Sequence, residues 1–346
     1  EKLSQSFEDV AQVLKKADAR GKVIVAVPYP DTRQDSFGVV GGRDLNLAAH
    51  DDRIAALRWY VDEALNEWNS RVERGLLNGV TLSGFYWGHE GIGKSDDEVL
   101  KTLASYVHER GYLMHWIPSF GGPRSDWREL GLDCVTQQIN YQNPQKPGRP
   151  LTIFRDMSRM VGDFALHGVE MTPMARTTLL NPRIWSWQQV HVANLDAALR
   201  HNWHSYPALT YFHGNDLPGI AADPQMHVFY EKLYKWVTGR LTRSDVQQLS
   251  IVALDELKRR GHIDNNEHAK IAKAETVLER LKLMEDVKLA DIRKATAERL
   301  AAYTRSSANL LDDGSLEKGI KDWPTRSAGL TRTQDEAHHG QWSLRL

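Results

Sequence analysis

The sequence is poor in cysteine and has no long apolar run. Only one of its 346 residues is a cysteine, Cys134, so an internal disulfide is impossible. No apolar stretch approaches the roughly 20 residues that cross a bilayer, so we expect no membrane span. The net charge is −1, with 44 basic and 45 acidic side chains. Because nucleic-acid binding draws on a basic excess, we expect no nucleic-acid partner.

Several motifs of other enzyme classes are also missing. No glycine-rich phosphate loop follows the first predicted strand, which weakens the case for a dinucleotide-binding sheet. The sequence has no H-E-x-x-H and no Cys/His spacing typical of zinc, and it lacks a G-x-S-x-G nucleophile elbow. We therefore expect no cofactor and no bound metal, and find little support for a Ser–His–Asp triad.

Aromatic residues, in contrast, are plentiful. The chain contains 11 Trp, 11 Tyr and 8 Phe. They could simply enlarge the hydrophobic core, or they could provide flat surfaces on which the C–H faces of sugar rings pack. Enrichment alone does not decide between these two interpretations.

Strand and helix patterns alternate along residues 22–240. Apolar runs predict six strands, near residues 23, 81, 112, 134, 169 and 208, with amphipathic helices between them. Such alternation indicates a parallel sheet with crossover helices. The predicted fold class is therefore α/β, a (β/α)8 TIM-type barrel that lacks its first two strands in this chain. An open doubly wound sheet is the alternative.

The chain is predicted to have three parts. Residues 1–240 form the N-terminally truncated barrel, and residues 241–305 form a helical hairpin or linker with helices over 244–260 and 267–303. Residues 306–346 resemble the start of a carbohydrate-binding β-sandwich module, on the strength of Trp323 and the segment Gly340–Leu344.

The ends of the predicted strands are polar or aromatic in every unit. In a parallel barrel the active site lies at the C-terminal ends of the strands, which makes these residues candidates for substrate binding. Each histidine among them could equally be a hydrogen-bonded scaffold residue. The candidates are Tyr29, Asp31, Tyr86, Trp87, His89, His115, Trp116, Gln138, Asn140, Tyr141, Thr172, His213 and Asp216.

Glu90 and Glu170 are the candidate catalytic pair. Glycoside hydrolysis uses two carboxyl groups that flank the scissile bond. Glu90 follows the second predicted strand and Glu170 lies in the fifth, so two preceding strands would make these strands four and seven. That placement matches a large clan of retaining barrel glycosidases, with Glu90 as acid/base and Glu170 as nucleophile. The competing interpretations are a solvated loop residue for Glu90 and an ion pair for Glu170.

The order of several motifs resembles a known family. Gly84–Glu90, His115–Pro118, Gln138–Tyr141 and Gly168–Glu170 are similar to the bacterial domain-of-unknown-function family four-eight-five-five, regarded as glycoside-hydrolase-like barrels of secreted proteins. The resemblance covers residues from about 22 to 240. It implies a barrel fold, polysaccharide chemistry and a secreted or cell-surface location.

The resemblance also implies site residues, and it contains one departure. Glu90, Asn140 and Glu170 match positions of the family's motifs. The last motif is associated with a second acidic residue two positions on, where this chain has Thr172.

The sequence therefore predicts a monomeric glycoside hydrolase that acts on a polysaccharide or glycoconjugate by a retaining mechanism. The first alternative is a non-catalytic glycan-binding barrel of a cell-surface protein, which the departure at Thr172 favours. The second, less favoured alternative is a metal-dependent hydrolase.

Overall fold

The structure is a computed structural model that describes residues 2–119, 122–141, 151–171, 187–212, 217–224, 227–287, 331–333 and 343–345. The chain divides into two compact units, residues 1–287 and residues 288–346.

Helices and strands alternate through the first unit. Its N-terminal half contains α1 (Lys2–Lys16), β1 (Gly21–Val27), β2 (Gly38–Val40), β3 (Arg43–Leu45), α2 (His50–Glu73), β4 (Val80–Trp87), α3 (Asp97–His108) and β5 (Leu113–Trp116). Next come β6 (Cys134–Gln138), α4 (Ile153–Asp163), β7 (Gly168–Met171), α5 (Trp187–Arg200), β8 (Ala208–Tyr211), α6 (Leu217–Ala222), α7 (His227–Val237), α8 (Arg243–Arg259) and α9 (Asn265–Ala272).

One sheet of six parallel strands organises this unit, in the order β1-β4-β5-β6-β7-β8. All six predicted strands are therefore confirmed, as is the α/β class. The prediction of an eight-stranded TIM-type barrel is wrong. Among the described residues, β1 pairs only with β4 and β8 only with β7, so the sheet is a curled half-barrel with two edges.

The two faces of the sheet differ sharply in burial. Val27, Trp87, Trp116 and Val135 are neighbours in register across four strands, and all are completely buried. They lie on the outer face, where α2 packs on β1, α3 on β5, and α4 on β6 and β7. Side chains on the opposite, inner face include half-buried Tyr86. Alternation of side chains along each strand thus separates the hydrophobic core from the inner face.

An extra residue in β4 decides which of its side chains reach the inner face. Val23 of β1 pairs with Leu82, but Ile24 pairs with Gly84, so Ser83 is left over as a bulge. Before the bulge Leu82 is buried, whereas after it Trp87 is buried and Tyr86 is turned inward. A bulge shifts the phase of alternation by one residue, as observed here.

The inner face is concave across β7. The hydroxyls of Thr136 on β6 and Thr210 on β8 form a hydrogen bond of 3.0 Å across the strand between them. Gly168 of β7 pairs with Thr136, and a Cβ at this glycine would lie 1.8 Å from the carbonyl oxygen of Ala208. The missing side chain therefore permits the close approach of the strands.

Two features of the first unit differ from the sequence-based expectations. A hairpin of β2 and β3 was not predicted, although Gly41-Gly42 marks its turn, with positive φ at both residues (58° and 82°). The helix expected over residues 267–303 is interrupted, because α9 ends at Ala272 and residues 277–287 form a separate helix. The Thr276 hydroxyl accepts a hydrogen bond from the Glu279 N–H and so caps the second helix.

The described part of the second unit is a short antiparallel pair, β9 (Thr331–Thr333) and β10 (Ser343–Arg345). The rest of the region interpreted as the start of a carbohydrate-binding module lies outside the described residues, as do residues 288–305.

Candidate functional site

Glu170 projects from β7 onto the inner face, beside β6. It is in register with Gln138 on one side and Thr210 on the other. The flanking residues Val169 and Met171 are completely buried on the outer face, so alternation leaves Glu170 pointing inward and half-buried. Burial, together with the negative charge of Glu90, raises the pKa of Glu170 to about 7. The protonated form of this carboxyl is therefore populated near neutral pH.

Glu90 lies in the exposed loop that follows β4. The loop is tied to its neighbours by two backbone acceptors: His89 O accepts from Trp116 Nε1 at 3.0 Å, and Glu90 O accepts from Ser119 N at 3.2 Å. These bonds hold the backbone of Glu90 just beyond the C-terminal end of β4. The Glu90 side chain is exposed there, whereas that of Glu170 is half-buried.

An amide chain connects Glu90 to the sheet. Gln138 Nε2 donates to Glu90 Oε1 at 3.0 Å, and Asn140 Nδ2 donates to Gln138 Oε1 at 2.8 Å. Gln138 is also the register neighbour of Glu170. The structure therefore brings together four of the residues proposed from sequence, with Gln138 at the centre.

Tyr86 completes this cluster from β4. Burial, together with the negative charges of Glu170 and Glu90, raises the pKa of its phenol to about 12. Its phenol thus interacts electrostatically with both carboxyls and stays protonated at physiological pH.

A stacked pair of rings lies at the same end of the sheet. The ring of Tyr29 stacks on that of His89, with centroids 4.1 Å apart, and packs edge-on against Trp87 at 5.7 Å. The Tyr29 hydroxyl donates to the Asp96 carboxylate at 3.3 Å. His89, the residue before Glu90, is exposed, so this stack forms part of the loop that carries Glu90.

A buried ion pair supports the Tyr29–His89 stack on the side of α2. Arg53 of α2 forms a salt bridge with Asp96, and both side chains are only 3% exposed. Arg53 also donates to the carbonyl of Pro30 at 3.1 Å, which ties α2 to the residue after Tyr29. Sequence analysis missed this pair. The available signal was an arginine on the apolar stripe of α2, four residues before buried Leu57.

Other predicted site residues are placed away from solvent. Trp87, Trp116 and Tyr141 are completely buried, so their rings support the strand ends from the core. Tyr141 packs against Phe154 of α4, with ring centroids 4.9 Å apart.

His115 and Asp31 occupy the margins of the site. His115 lies beside Tyr86 in the register of β5 and β4. Burial lowers the pKa of its imidazole, and its Nε2 is buried without a hydrogen-bond partner among the described residues. Asp31 is held by Arg33 at 2.5 Å, and the hydrogen bonds from Arg33 lower its pKa to about 2. The remaining candidates, Thr172, His213 and Asp216, lie outside the described residues.

Within the described ranges, no group of three or more His, Cys, Asp or Glu side chains is arranged to hold a metal ion. None of the helices in the same part of the chain is both long enough and apolar enough to cross a membrane.

Comparison with protein families assigns the chain. Residues 1–235, well over half of the sequence, match the family described as Domain of unknown function (DUF4855). The chain belongs to this family. The DUF4855 match spans β1 to β8 and thus includes the carboxyl pair, the amide chain and the Tyr29–His89 stack. Curated proteins contain no match to the chain.

Proposed function

We propose that this DUF4855 protein is a glycoside hydrolase that uses Glu90 and Glu170 to cleave a polysaccharide or glycoconjugate. The observation that carries the proposal is the pair of electrostatically coupled carboxyls at the C-terminal ends of parallel strands, one exposed and one half-buried. Two carboxyls in unlike environments are what acid–base hydrolysis of a glycosidic bond requires.

The environments of the two groups favour particular roles. Glu170, whose pKa is raised to about 7, is suited to donate a proton to the leaving oxygen. Glu90 accepts an amide hydrogen bond at 3.0 Å and is suited to attack the anomeric carbon as the nucleophile of a retaining mechanism. Strand order alone favours the opposite assignment, with Glu90 as acid/base and Glu170 as nucleophile.

The Tyr29–His89 stack supports a sugar as the ligand. Sugar rings pack their C–H faces on flat aromatic surfaces, and His89 is exposed immediately before Glu90. The same surface also favours the second candidate function, a glycan-binding protein without hydrolytic activity. A carbohydrate ligand in turn fits a secreted or cell-surface location.

Leaving-group dependence tests the two roles. The protein is incubated with dinitrophenyl glycosides, whose leaving group needs no proton, and with polysaccharides, whose leaving group does. Glu170→Gln is expected to reduce polysaccharide cleavage by a factor of about 10²–10⁴ while largely sparing kcat/KM for the activated glycosides, whose bond cleavage needs no acid. Glu90→Gln is expected to abolish cleavage of both, because it removes the nucleophile.

An exposed glutamate provides the control. Glu73, at the end of α2, is solvent-exposed, and Glu73→Gln should leave both reactions unchanged. Retention of anomeric configuration in the first product, followed by ¹H NMR, supports the covalent route. Sugar binding that persists in all variants, with no cleavage by the wild type, would replace the hydrolase with the glycan-binding alternative.

A further inference from the structure

The amide of Gln138 has only one orientation that satisfies its surroundings. Its NH₂ group faces two acceptors, Glu90 Oε1 at 3.0 Å and the carbonyl of Ile117 at 3.5 Å. Its oxygen accepts from Asn140 Nδ2 at 2.8 Å. A flipped amide would turn an oxygen toward two oxygens and an NH₂ toward an NH₂, so Glu90 always meets a donor.

Asn140 is placed by its backbone to maintain this orientation. It adopts a left-handed conformation with φ of 53°, which asparagine tolerates better than most residues. Gln138 itself is 8% exposed and is anchored in β6, so the donor reaches Glu90 from a rigid strand. The loop that carries Glu90 is held independently through its backbone by Trp116 and Ser119.

We propose that Gln138, held by Asn140, is a positioning residue whose amide favours the charged form of Glu90 and leaves Glu170 as the carboxyl of the pair that carries a proton. This inference rests on the proposed function, because it explains how two neighbouring carboxyls come to have different roles. An amide N–H can only donate, and a charged carboxylate is a better acceptor than its protonated form. Gln138 therefore stabilises the anion of Glu90 but offers no acceptor to its acid form.

The other groups around the pair do not supply this asymmetry. Tyr86 interacts electrostatically with both carboxyls and so does not distinguish them. His89 precedes Glu90 in the loop, but its ring stacks on Tyr29 and its Nδ1 lies 2.7 Å from the carbonyl oxygen of Gly91. On the inner face, Thr210 lies beside Glu170 in register, and its hydroxyl is bonded to Thr136. Within the described part of the chain, the amide of Gln138 donates a hydrogen bond to the Glu90 carboxylate and so supplies the asymmetry.

Direct titration tests the proposal without a substrate. The protein is labelled with ¹³C at the glutamate carboxyls, and the signals of Glu90 and Glu170 are assigned from Glu90→Gln and Glu170→Gln. Gln138→Met keeps the side-chain volume and removes the donor. We expect the titration midpoint of Glu90 to rise by about one pH unit, as for the loss of one hydrogen bond to a charged group. Asn140→Gly preserves the left-handed backbone and should shift the midpoint in the same direction by a smaller amount.

Thr136→Val is the matched control. Thr136 precedes Gln138 by two residues on the same face of β6, and its hydroxyl bonds Thr210 instead of a carboxyl. This variant should leave the Glu90 midpoint where it is. An unchanged midpoint in Gln138→Met, or an equal shift in Thr136→Val, would overturn the proposal.

A second readout separates this proposal from the proposed function. If the protein cleaves glycosides, Gln138→Met should lower kcat about tenfold, leave KM within about twofold, and move the acidic limb of the pH profile upward. A shifted Glu90 midpoint in a protein without any hydrolytic activity would leave the positioning role intact and refute the hydrolase. Normal activity in Gln138→Met with an unshifted midpoint would refute the positioning role alone.

Discussion

Thr136 and Thr210 touch across a strand to which neither belongs: their hydroxyls are 3.0 Å apart over β7. The contact depends on Gly168, where an added Cβ would lie 1.8 Å from Ala208 O and 3.4 Å from Tyr206 Cβ. Gly168→Ala should therefore force β7 and β8 apart and destabilise the protein by roughly 3 kcal/mol or more, because a backbone atom cannot yield as a side chain does. Urea unfolding measures the effect.

The matched control for this prediction is Gly162→Ala in α4. No atom lies within 4 Å of the added Cβ, and the residue is exposed in a helix. Alanine has the higher helix propensity, so stability should rise by up to about 1 kcal/mol. Equal loss of stability in both variants would contradict the role given to Gly168.

Stability should also depend on pH through Glu170. Its pKa in the folded protein is about 7, above the ordinary value of 4.5. A carboxyl with a raised pKa contributes most to stability below pH 4.5, and the contribution is lost as the pH rises through about 7. Glu170→Gln removes this loss, so the variant should gain up to about 3 kcal/mol over the wild type between pH 4 and pH 8.

Urea unfolding of wild type and Glu170→Gln at both pH values measures this difference. Glu73→Gln, at an exposed position, should show the same pH dependence as the wild type. If the free energies of unfolding of wild type and Glu170→Gln changed equally with pH, Glu170 would be solvated and its electrostatic coupling to Glu90 would be weak.

Two aspartates near Tyr29 should respond differently to the same substitution. Asp96→Asn leaves the buried guanidinium of Arg53 without its counter-charge, which costs about 3–5 kcal/mol. Asp31→Asn removes an ion pair whose arginine, Arg33, is 88% exposed, and should leave the melting temperature unchanged. Differential scanning calorimetry of the two variants tests the contrast; comparable melting temperatures would show that the Arg53–Asp96 pair is dispensable.

Strand positions and the inward direction of Glu170 could be predicted from the sequence, because both follow from local apolar patterns. Glu170 lies between two apolar neighbours, and strict alternation turns it away from them. The convergence of Glu90, Gln138 and Glu170 follows from their common place at the ends of parallel strands. The catalytic chemistry of this group is still a prediction.

The number of strands in the sheet and the face on which each aromatic side chain lies could not be predicted in the same way. The number of strands in a sheet depends on contacts between distant segments, which no local pattern records, and the prediction of an eight-stranded barrel was wrong for this reason: the sheet of the described residues has six strands. Tyr86 and Trp87 look equivalent in sequence, yet one lies on the inner face and the other in the core.

The bulge at Ser83 gives β4 one residue to spare, so the strand responds differently to the loss and to the gain of a residue. Loss of Ser83 would leave the pairs from Ile24–Gly84 to Val27–Trp87 in register, and Tyr86 would stay on the inner face. Insertion of one residue between Gly84 and Tyr86 would instead exchange the sides of the sheet on which Tyr86 and Trp87 emerge, which would place an indole on the face of the two carboxyls and a phenol in the core. Three added nucleotides could thus change the chemistry of this face while every residue proposed to act there remained encoded.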